Sequence, residues 1–357
     1  MKNKNKFTES YKNLKVLITG STGFKGSWLS HWLYKMGSKV IGVGLRPEKG
    51  SIIFNAFHLE KKIKQYFVDI KNFNKINNII KKEKPDIIFH LAAQSIVSES
   101  FYNPLETFGT NVIGSVNILE SVRINKIPNL VYITSDKCYL NLDKRSSFKE
   151  SDILGGKDNY SSSKASAELA FFSYYQSYFK KKYISIGSTR AGNVIGGGDF
   201  KDNRIIPDIV KSFKKTKPII LRNPKATRPW QHVLEPLSGY LTLGHKLLNK
   251  ELTSKLYPSW NFGPNLINCK NVVSIVKLFI KEWGLTRQKI IFKKNNKYHE
   301  SRFLSLNTNK AKKELNWEPR LTIEETIKFT SDWYKLYLLN KDIEIISNNQ
   351  IDHYIDK

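Results

Sequence analysis

The sequence of 357 residues has only 2 cysteines, Cys138 and Cys269. So few cysteines cannot build a disulfide framework, and their separation does not match metal-ligand spacing, so we expect a reducing compartment and no metal site. Long apolar runs are also lacking, since the run over 86–93 is far shorter than the roughly 20 residues that cross a membrane. The basic residues 1–6 precede polar residues rather than the apolar stretch of a secretory signal. These absences favour a cytoplasmic protein with no membrane partner.

Acidic residues are scarce as well. The chain has 31 Asp and Glu residues against 59 Lys and Arg residues, which gives a formal net charge of +28. Such a surplus is typical of proteins that bind nucleic acids or anionic membranes. Here, however, the lysines occur in small dispersed groups, mostly at the ends of predicted helices or in turns, where they complement helix dipoles and face solvent. We therefore expect a general attraction for anionic ligands and no nucleic-acid partner.

The first half of the chain alternates short β-branched runs with helical patterns, which predicts a parallel sheet with crossover helices. The predicted strands cover 14–19, 39–45, 65–70, 86–93, 130–135 and 183–189. The predicted helices cover 27–36, 73–82, 104–125 and 160–180. This order predicts an α/β fold, a doubly wound parallel Rossmann sheet with a smaller interleaved C-terminal substrate-binding lobe.

Glycine and proline residues interrupt the alternation after Gly192. Helices are predicted at 207–215, 236–248, 272–283 and 323–339, and strands at 219–222 and 260–262. We predict a dinucleotide-binding domain over 14–192 plus about 228–262, and a nucleotide-sugar-binding lobe over about 193–227 plus 263–340. Residues 1–13 and 341–357 are expected to be peripheral tails.

A glycine-rich segment lies between the first predicted strand and the first predicted helix. Gly20, Gly23 and Gly26 allow the backbone to turn tightly, to approach a pyrophosphate and to begin a helix whose N-terminus faces the anion. In this position the pattern predicts dinucleotide binding. Arg46 and Glu48 follow the second strand, where an arginine favours a ribose phosphate and a carboxylate favours the ribose diol, so NADP stays an alternative to NAD.

Two segments place reactive groups near this cofactor site. Ser135, Asp136 and Lys137 follow an apolar strand, and Tyr160 precedes Lys164 at the i,i+4 spacing that puts both on one helix face. A lysine charge at that distance would lower the pKa of the phenol and make it a usable base. The combination predicts hydride chemistry on a sugar.

These segments together resemble the extended short-chain dehydrogenase/reductases, in particular the CDP-glucose 4,6-dehydratases of the nucleotide-sugar epimerase/dehydratase family. The similarity runs from about Leu14 to Tyr334. The motifs that carry it lie at 23–29, 134–139, 190–199, 222–224, 228–240 and 260–264. The resemblance implies a homodimer that uses NAD and acts on a nucleotide-diphosphate sugar, with CDP-glucose as the expected substrate.

The resemblance also implies site residues. The cofactor contacts would be Gly20, Thr22, Gly23, Phe24, Lys25, Gly26, Arg46, Asp69, Ile70, Leu91, Ala92, Ala93, Gln94, Asn111, Tyr160 and Lys164. The substrate contacts would be Ser135, Asn193, Arg222, Arg228 and Asn261, with a further segment at 298–300 near the nucleotide.

In the implied reaction, Tyr160 removes the proton of the sugar 4-hydroxyl while Ser135 hydrogen-bonds the same oxygen. Asp136 and Lys137 are the candidates for the acid and base that eliminate water across carbons 5 and 6. Lys137 is either the base or a charged stabiliser of an enolate, and the sequence leaves both open.

One departure from the family pattern bears on the substrate. The family has a basic residue shortly after the position of Gln94, whereas this chain has Ser95-Ile96-Val97-Ser98, so a positive charge near the substrate entrance is expected to be missing. Two alternatives remain at this point. One is a dehydratase or epimerase that acts on a dTDP-, UDP- or GDP-linked sugar, and the other is an inactive Rossmann protein that binds nucleic acid through its positive surface.

Overall fold

A parallel sheet of seven strands forms the centre of the molecule in the computed structural model. The structure describes residues 9–47, 52–143, 146–180, 184–252, 258–265, 269–285, 288–293 and 303–357. The strands of the sheet are β1 (Lys15–Thr19), β2 (Lys39–Gly44), β3 (Lys64–Phe67), β4 (Ile87–His90), β5 (Asn129–Ile133), β6 (Ser185–Ala191) and β11 (Ser259–Phe262). Their spatial order is β11-β6-β5-β4-β1-β2-β3. The predicted doubly wound fold is therefore confirmed. From β1 the chain adds β2 and β3 on one side and β4, β5 and β6 on the other, so the strand order reverses between β1 and β4.

The strands form where β-branched and aromatic side chains follow one another, because both faces of the sheet are covered by helices. In β1, Val16 and Ile18 lie in the core on one face, while Leu17 packs in the core on the other. β4 and β5 are buried along their whole length. The sheet thus separates two apolar cores.

Within the described residues, six short strands lie outside the central sheet and form three pairs. β7 (Val194–Ile195) pairs with β10 (Gln231–His232), β8 (Ile219–Leu221) with β13 (Ile290–Phe292), and β9 (Thr227–Pro229) with β12 (Cys269–Asn271). They lie in the second half of the chain, where glycine and proline residues interrupt the regular alternation.

The helices flank the sheet or lie in the second half of the chain. They are Phe24–Lys35, Ile52–Ala56, Leu59–Lys62, Phe73–Glu83, Val97–Tyr102, Pro104–Phe108, Ser115–Ile124, Asn159–Tyr174, Ile205–Lys214, Leu234–Leu248, Val272–Trp283, Ile323–Leu338 and Ile343–Asp356. The long helix predicted over 104–125 contains a π-helical segment, Gly109–Gly114, and the helix predicted over 160–180 ends in another, Tyr175–Phe179. No described helix is long and apolar enough to cross a membrane.

The described parts of the two segments expected to be peripheral tails, residues 9–13 and 341–357, are instead anchored in the core. Tyr11 is fully buried, and its hydroxyl donates a 2.6 Å hydrogen bond to the carbonyl of Leu241. At the other end, residues 343–356 form a helix that buries Ile351 and Tyr354. The expectation was wrong because polar residues dominate the outer face of this helix, while the apolar residues that face inward are few and widely spaced.

Candidate active site

A cavity of about 770 Å³ opens at the carboxyl ends of the central strands. Its wall includes Gly20 after β1, Leu91 after β4, Thr134 after β5 and Gly192 after β6. Because the carboxyl ends of parallel strands meet at one edge of a sheet, residues far apart in the sequence come together here. Most of the predicted site residues line this one cavity.

The glycine-rich loop forms the cofactor side of the cavity. Gly20 has φ +74°, and a Cβ there would lie 2.8 Å from the backbone nitrogen of Ala92. A Cβ on Gly26 would lie 2.0 Å from the carbonyl oxygen of Gly20. The loop thus holds backbone groups close together and leads into the helix Phe24–Lys35, whose N-cap residue Gly23 has no side chain that caps the helix. These features fit the pyrophosphate of a dinucleotide.

The other predicted cofactor residues divide into those that line the cavity and those behind it. The lining includes Thr22, Phe24, Lys25, Arg46, Asp69, Ile70, Leu91, Ala92 and Ala93. The guanidinium of Arg46 lies 4.4 Å from the centroid of the Phe67 ring, at the mouth beside β2 and β3. Glu48, the other candidate for the ribose, lies outside the described residues.

Gln94 and Asn111 do not line the cavity; they hold its wall. The side chain of Asn111 accepts a 2.8 Å hydrogen bond from the Gln94 backbone nitrogen and donates one of 3.0 Å to the Gln94 carbonyl. It also donates to the hydroxyl of Ser163 in the helix Asn159–Tyr174. Asn111 therefore fixes the loop after β4 against that helix, rather than contacting a cofactor directly.

The segment after β5 forms a single 3-10 turn, which we call the Ser135 turn (residues 135–138). Ser135 caps it, since its Oγ accepts a 3.3 Å hydrogen bond from the Lys137 backbone nitrogen. The same hydroxyl donates a 3.0 Å hydrogen bond to Asp136 Oδ1. The turn directs Ser135, Asp136 and Lys137 into the cavity wall beside Tyr160.

Asp136 combines burial with an open acceptor site. Its Oδ2 is buried and has no hydrogen-bond partner among the described residues. Burial raises the pKa of this carboxyl. The positive charge of Lys137 and, more weakly, those of Arg228 and Lys25 act in the opposite direction. A carboxyl with a raised pKa keeps its proton at higher pH, which suits a proton donor.

Tyr160 and Lys164 lie on one face of the helix Asn159–Tyr174, as their spacing predicts. Lys164 Nζ and Lys137 Nζ each lie 6.0 Å from the centroid of the Tyr160 ring. The expected lowering of the phenol pKa is not found in the protein alone. Burial raises the pKa of Tyr160 to about 12, against a smaller opposing effect of its hydrogen bond with Ser135.

Lys164 does not lower the pKa of Tyr160 as expected, partly because Lys164 is itself buried behind the cavity wall rather than in it. Burial and the nearby Lys25 lower the pKa of Lys164 to about 7, so its positive charge is itself unfavourable. Lys25, in the first turn of the helix Phe24–Lys35, is affected in the same way: burial and then Arg204 lower its pKa to about 8. The half-buried Lys25 and the buried Lys164 therefore make this part of the cavity favourable for an anion.

On the substrate side, Asn193, Arg222 and Arg228 line the cavity. Arg228 is buried, whereas Arg222 is exposed and donates a 2.6 Å hydrogen bond to Asn203. Asn261 does not belong to this group, and the expectation that it holds the diphosphate does not fit its position. The predicted segment 298–300 lies outside the described residues.

Asn261 is fully buried in β11, away from the cavity. Its Oδ1 accepts a 2.7 Å hydrogen bond from the Tyr139 hydroxyl, and its Nδ2 donates to the carbonyls of Phe148 and Asn307. Both polar atoms of its side chain thus join β11 to the segment after the Ser135 turn and to Asn307.

Sequence reasoning missed Arg204, which supplies the positive charge expected to be absent after Gln94. It lines the cavity, and its guanidinium donates a 2.8 Å hydrogen bond to Ser95 Oγ and a 2.7 Å hydrogen bond to Asp199 Oδ2. The basic group thus comes from the residue before the helix Ile205–Lys214, more than 100 positions away from Ser95 along the chain. Only the tertiary fold brings the two together, so no local pattern could have shown it.

Residues 17–330 match the model of the family described as GDP-mannose 4,6 dehydratase. The chain belongs to this family. Over 351 residues this dehydratase is 40% identical to the CDP-glucose 4,6-dehydratase of Salmonella typhimurium, with 97% of each chain covered. The predictions of the family and of hydro-lyase activity are thereby confirmed.

Solved structures give the same result for the fold and the cofactor. The dTDP-glucose 4,6-dehydratase of Bacillus anthracis, solved in complex with NAD, is 26% identical with a TM-score of 0.75, over 90% of this chain and 96% of that one. The UDP-glucose 4-epimerase of Thermotoga maritima, at 21% identity, a TM-score of 0.77 and coverage of 91% and 100%, shares the fold. NAD, the predicted cofactor, is confirmed for this dehydratase.

Proposed function

We propose that this dehydratase converts CDP-glucose to CDP-4-keto-6-deoxyglucose and water. The observation that carries the proposal is the Ser135 turn, which places a hydroxyl, a buried carboxyl and an ammonium beside Tyr160 in one cavity. Oxidation at carbon 4 alone needs neither Asp136 nor Lys137, whereas loss of water needs an acid and a base. The choice of CDP-glucose rests on the Salmonella typhimurium relative, which matches over nearly the whole chain.

The first half of the reaction uses Tyr160 and Ser135. The NAD that the glycine-rich loop would hold would supply the hydride acceptor for sugar carbon 4 and, later, the hydride donor for carbon 6. Tyr160 removes the proton of the 4-hydroxyl, and Ser135 donates a hydrogen bond to the same oxygen. With oxidised NAD bound, a positive charge near Tyr160 would favour the phenolate and so oppose the effect of burial on its pKa.

The second half uses Asp136 and Lys137. The 4-ketone makes the proton on carbon 5 acidic, so a neighbouring base can remove it. Asp136 protonates the 6-hydroxyl as it leaves, for which its raised pKa is suited. Lys137 acts at carbon 5, either by removing the proton or by stabilising the enolate that forms.

The diphosphate of the substrate would contact the basic groups on the opposite wall. Arg228 and Asn193 belong to neighbouring segments of that wall, and Arg222 and Arg204 lie on it nearer to solvent. A guanidinium binds phosphate oxygens with two parallel hydrogen bonds, so arginine is well suited to this position. Arg228 is the strongest candidate because it is buried and therefore already desolvated.

The test is a panel of CDP-, dTDP-, UDP- and GDP-linked glucose and mannose, each incubated with the enzyme and NAD and analysed by mass spectrometry. We expect loss of one water from CDP-glucose, with no net change in nicotinamide absorbance. Loss of water from another nucleotide sugar alone would refute the choice of CDP. If every sugar survives while NAD is bound, the proposed activity is wrong.

We also propose a homodimer formed through two neighbouring helical regions. Residues 97–124 and the helix Asn159–Tyr174 leave large apolar side chains in solvent, among them Tyr102, Leu105, Ile113 and Leu169. A cluster of this kind is more typical of a protein interface than of a free surface. The doubly substituted variant Leu105→Glu/Ile113→Glu should be a monomer by light scattering, while Leu339→Glu, at an exposed leucine elsewhere, should keep the mass of the unchanged protein.

Two further attributes complete the proposal. The division into a dinucleotide-binding part (14–192 plus about 228–262) and a substrate-binding lobe is supported by β11, which joins the central sheet beside β6. A cytoplasmic location is supported by the cysteines, since Cys138 and Cys269 are both free.

A further inference from the structure

A buried ion pair lies directly behind the Ser135 turn. Arg190 Nη2 donates a 2.7 Å hydrogen bond to Glu168 Oε2, and both side chains are 1% exposed. Neither residue lines the cavity. Burying two charges is unfavourable unless each is also hydrogen-bonded, so the further contacts of this pair show what it stabilises.

Glu168 contacts the residue before the turn. Its Oε1 accepts a hydrogen bond from the hydroxyl of Thr134. Its Oε2 lies 3.0 Å from Ser188 Oγ, in β6. Glu168 therefore ties the start of the Ser135 turn to the neighbouring strand through one carboxylate.

Arg190 contacts the residue after the turn. Its Nη1 donates hydrogen bonds of 2.9 Å to the Tyr139 hydroxyl and 3.1 Å to the Glu150 carbonyl. Its guanidinium also lies 4.9 Å from the centroid of the Tyr139 ring, which stacks on Phe148 on its other side. The end of the turn is thus held by the other half of the same ion pair.

The pair also connects the turn to Tyr160. On the helix Asn159–Tyr174, Glu168 follows Tyr160 and Lys164 at successive intervals of four residues, so all three lie along one face. We propose that the Glu168–Arg190 pair is a positioning device that holds the Ser135 turn in register with Tyr160. This inference rests on the proposed function, because the register matters only if both segments act on the same sugar.

The test compares two hydroxyls that contact the same carboxylate. Thr134→Val removes the contact to Glu168 Oε1 at the turn, and Ser188→Ala removes the contact to Oε2 away from it. Displacement of reacting groups by about 1 Å costs up to ~10²-fold in rate. We expect kcat of Thr134→Val to fall by ~10- to 100-fold with KM little changed, since the basic residues that bind the diphosphate are not on the turn. Ser188→Ala should keep kcat near that of the unchanged enzyme, and Thr134→Ser should restore it.

A readout that needs no turnover separates this inference from the proposed activity. Hydrogen exchange of the amides of residues 135–139 should be faster in Thr134→Val than in the unchanged protein, and unaltered in Ser188→Ala. Equal exchange and equal kcat in Thr134→Val and Ser188→Ala would overturn the inference, even for an active enzyme. If Thr134→Val does not fold, Tyr139→Phe at the other end of the turn replaces it, with the same expected results.

Discussion

The three glycines of the cofactor loop are equivalent in the sequence pattern but not in the structure, and the difference can be measured. A Cβ on Gly26 would lie 2.0 Å from the Gly20 carbonyl oxygen and 3.0 Å from Ser21 Cα, which are both main-chain atoms. A Cβ on Gly23 would lie 3.4 Å from that same oxygen, an ordinary contact. Alanine is therefore tolerated at Gly23, whereas at Gly26 it has to displace the loop by roughly 1 Å.

Helix propensity and overpacking predict effects of opposite sign for Gly26→Ala. Gly26 lies in the first turn of the helix Phe24–Lys35, and Gly→Ala in an unobstructed helix stabilises by ~0.5–1 kcal/mol. Overpacking instead costs ~1–3 kcal/mol, and the atoms displaced belong to the loop that we expect to hold the pyrophosphate. We expect Gly26→Ala to raise the Kd for NAD by ~10- to 100-fold, at about 1.4 kcal/mol for each factor of ten.

Titration calorimetry with NAD measures this directly, and circular dichroism at the same concentration shows whether each variant is folded. Gly23→Ala is the matched control and should bind NAD with nearly unchanged affinity. The reasoning would be refuted if folded Gly26→Ala bound NAD as tightly as Gly23→Ala. It would equally be refuted if both variants lost affinity to the same extent.

Three further changes test the site and the core. Asp136→Asn keeps the shape of the carboxyl but removes the proton for the leaving hydroxyl, so turnover should fall by ~10²- to 10⁴-fold. Stopped-flow absorbance should then show reduced nicotinamide accumulating. Undiminished release of water would contradict the role of Asp136. Tyr160→Phe should abolish both turnover and that accumulation, and any accumulation would remove Tyr160 from the first step. Burial raises the pKa of Glu235 from 4.5 to about 7, so its protonation stabilises the folded state below pH 4.5 and this contribution is lost as the pH rises to about 7. Relative to Glu235→Gln, the unchanged protein should therefore lose ~1.4 kcal/mol of unfolding free energy per pH unit across that window. If the unfolding free energies of the two proteins changed with pH in the same way, the raised pKa of Glu235 would be wrong.

The parts of the fold that the sequence predicts well are those set by local pattern. The helix Val272–Trp283 has its predicted bounds, since Asn271 caps its start and Gly284 ends it in the left-handed conformation. The central strands deviate by a few residues at their ends. Local pattern does not reveal π-helical segments: in Gly109–Gly114 the buried residues, Asn111 and Gly114, continue the three- and four-residue spacing of the buried residues in the helices on either side.

Within the site, the candidate residues of the glycine-rich loop and of the Ser135 turn line the cavity, because local backbone pattern sets where those segments lie. Asn261 failed because a polar residue at a strand end can face either the cavity or the layer behind it, and only packing decides between the two. The expectation of a lowered pKa for Tyr160 was wrong for a related reason, since the spacing to Lys164 does not show how far burial raises the pKa.

The helix Leu234–Leu248 is hydrogen-bonded by two tyrosines that lie far apart in the sequence, Tyr11 and Tyr354. Tyr11 donates to the Leu241 carbonyl, while Tyr354 donates a 2.7 Å hydrogen bond to Glu235 Oε2 and lies 2.7 Å from Ser238 Oγ. During synthesis on the ribosome, the first of these contacts can form as soon as this helix emerges, but the second has to wait for residue 354. Until then the buried carboxyl of Glu235 lacks its Tyr354 partner, so this part of the core is completed more than 100 residues later in synthesis than the helix that carries Glu235.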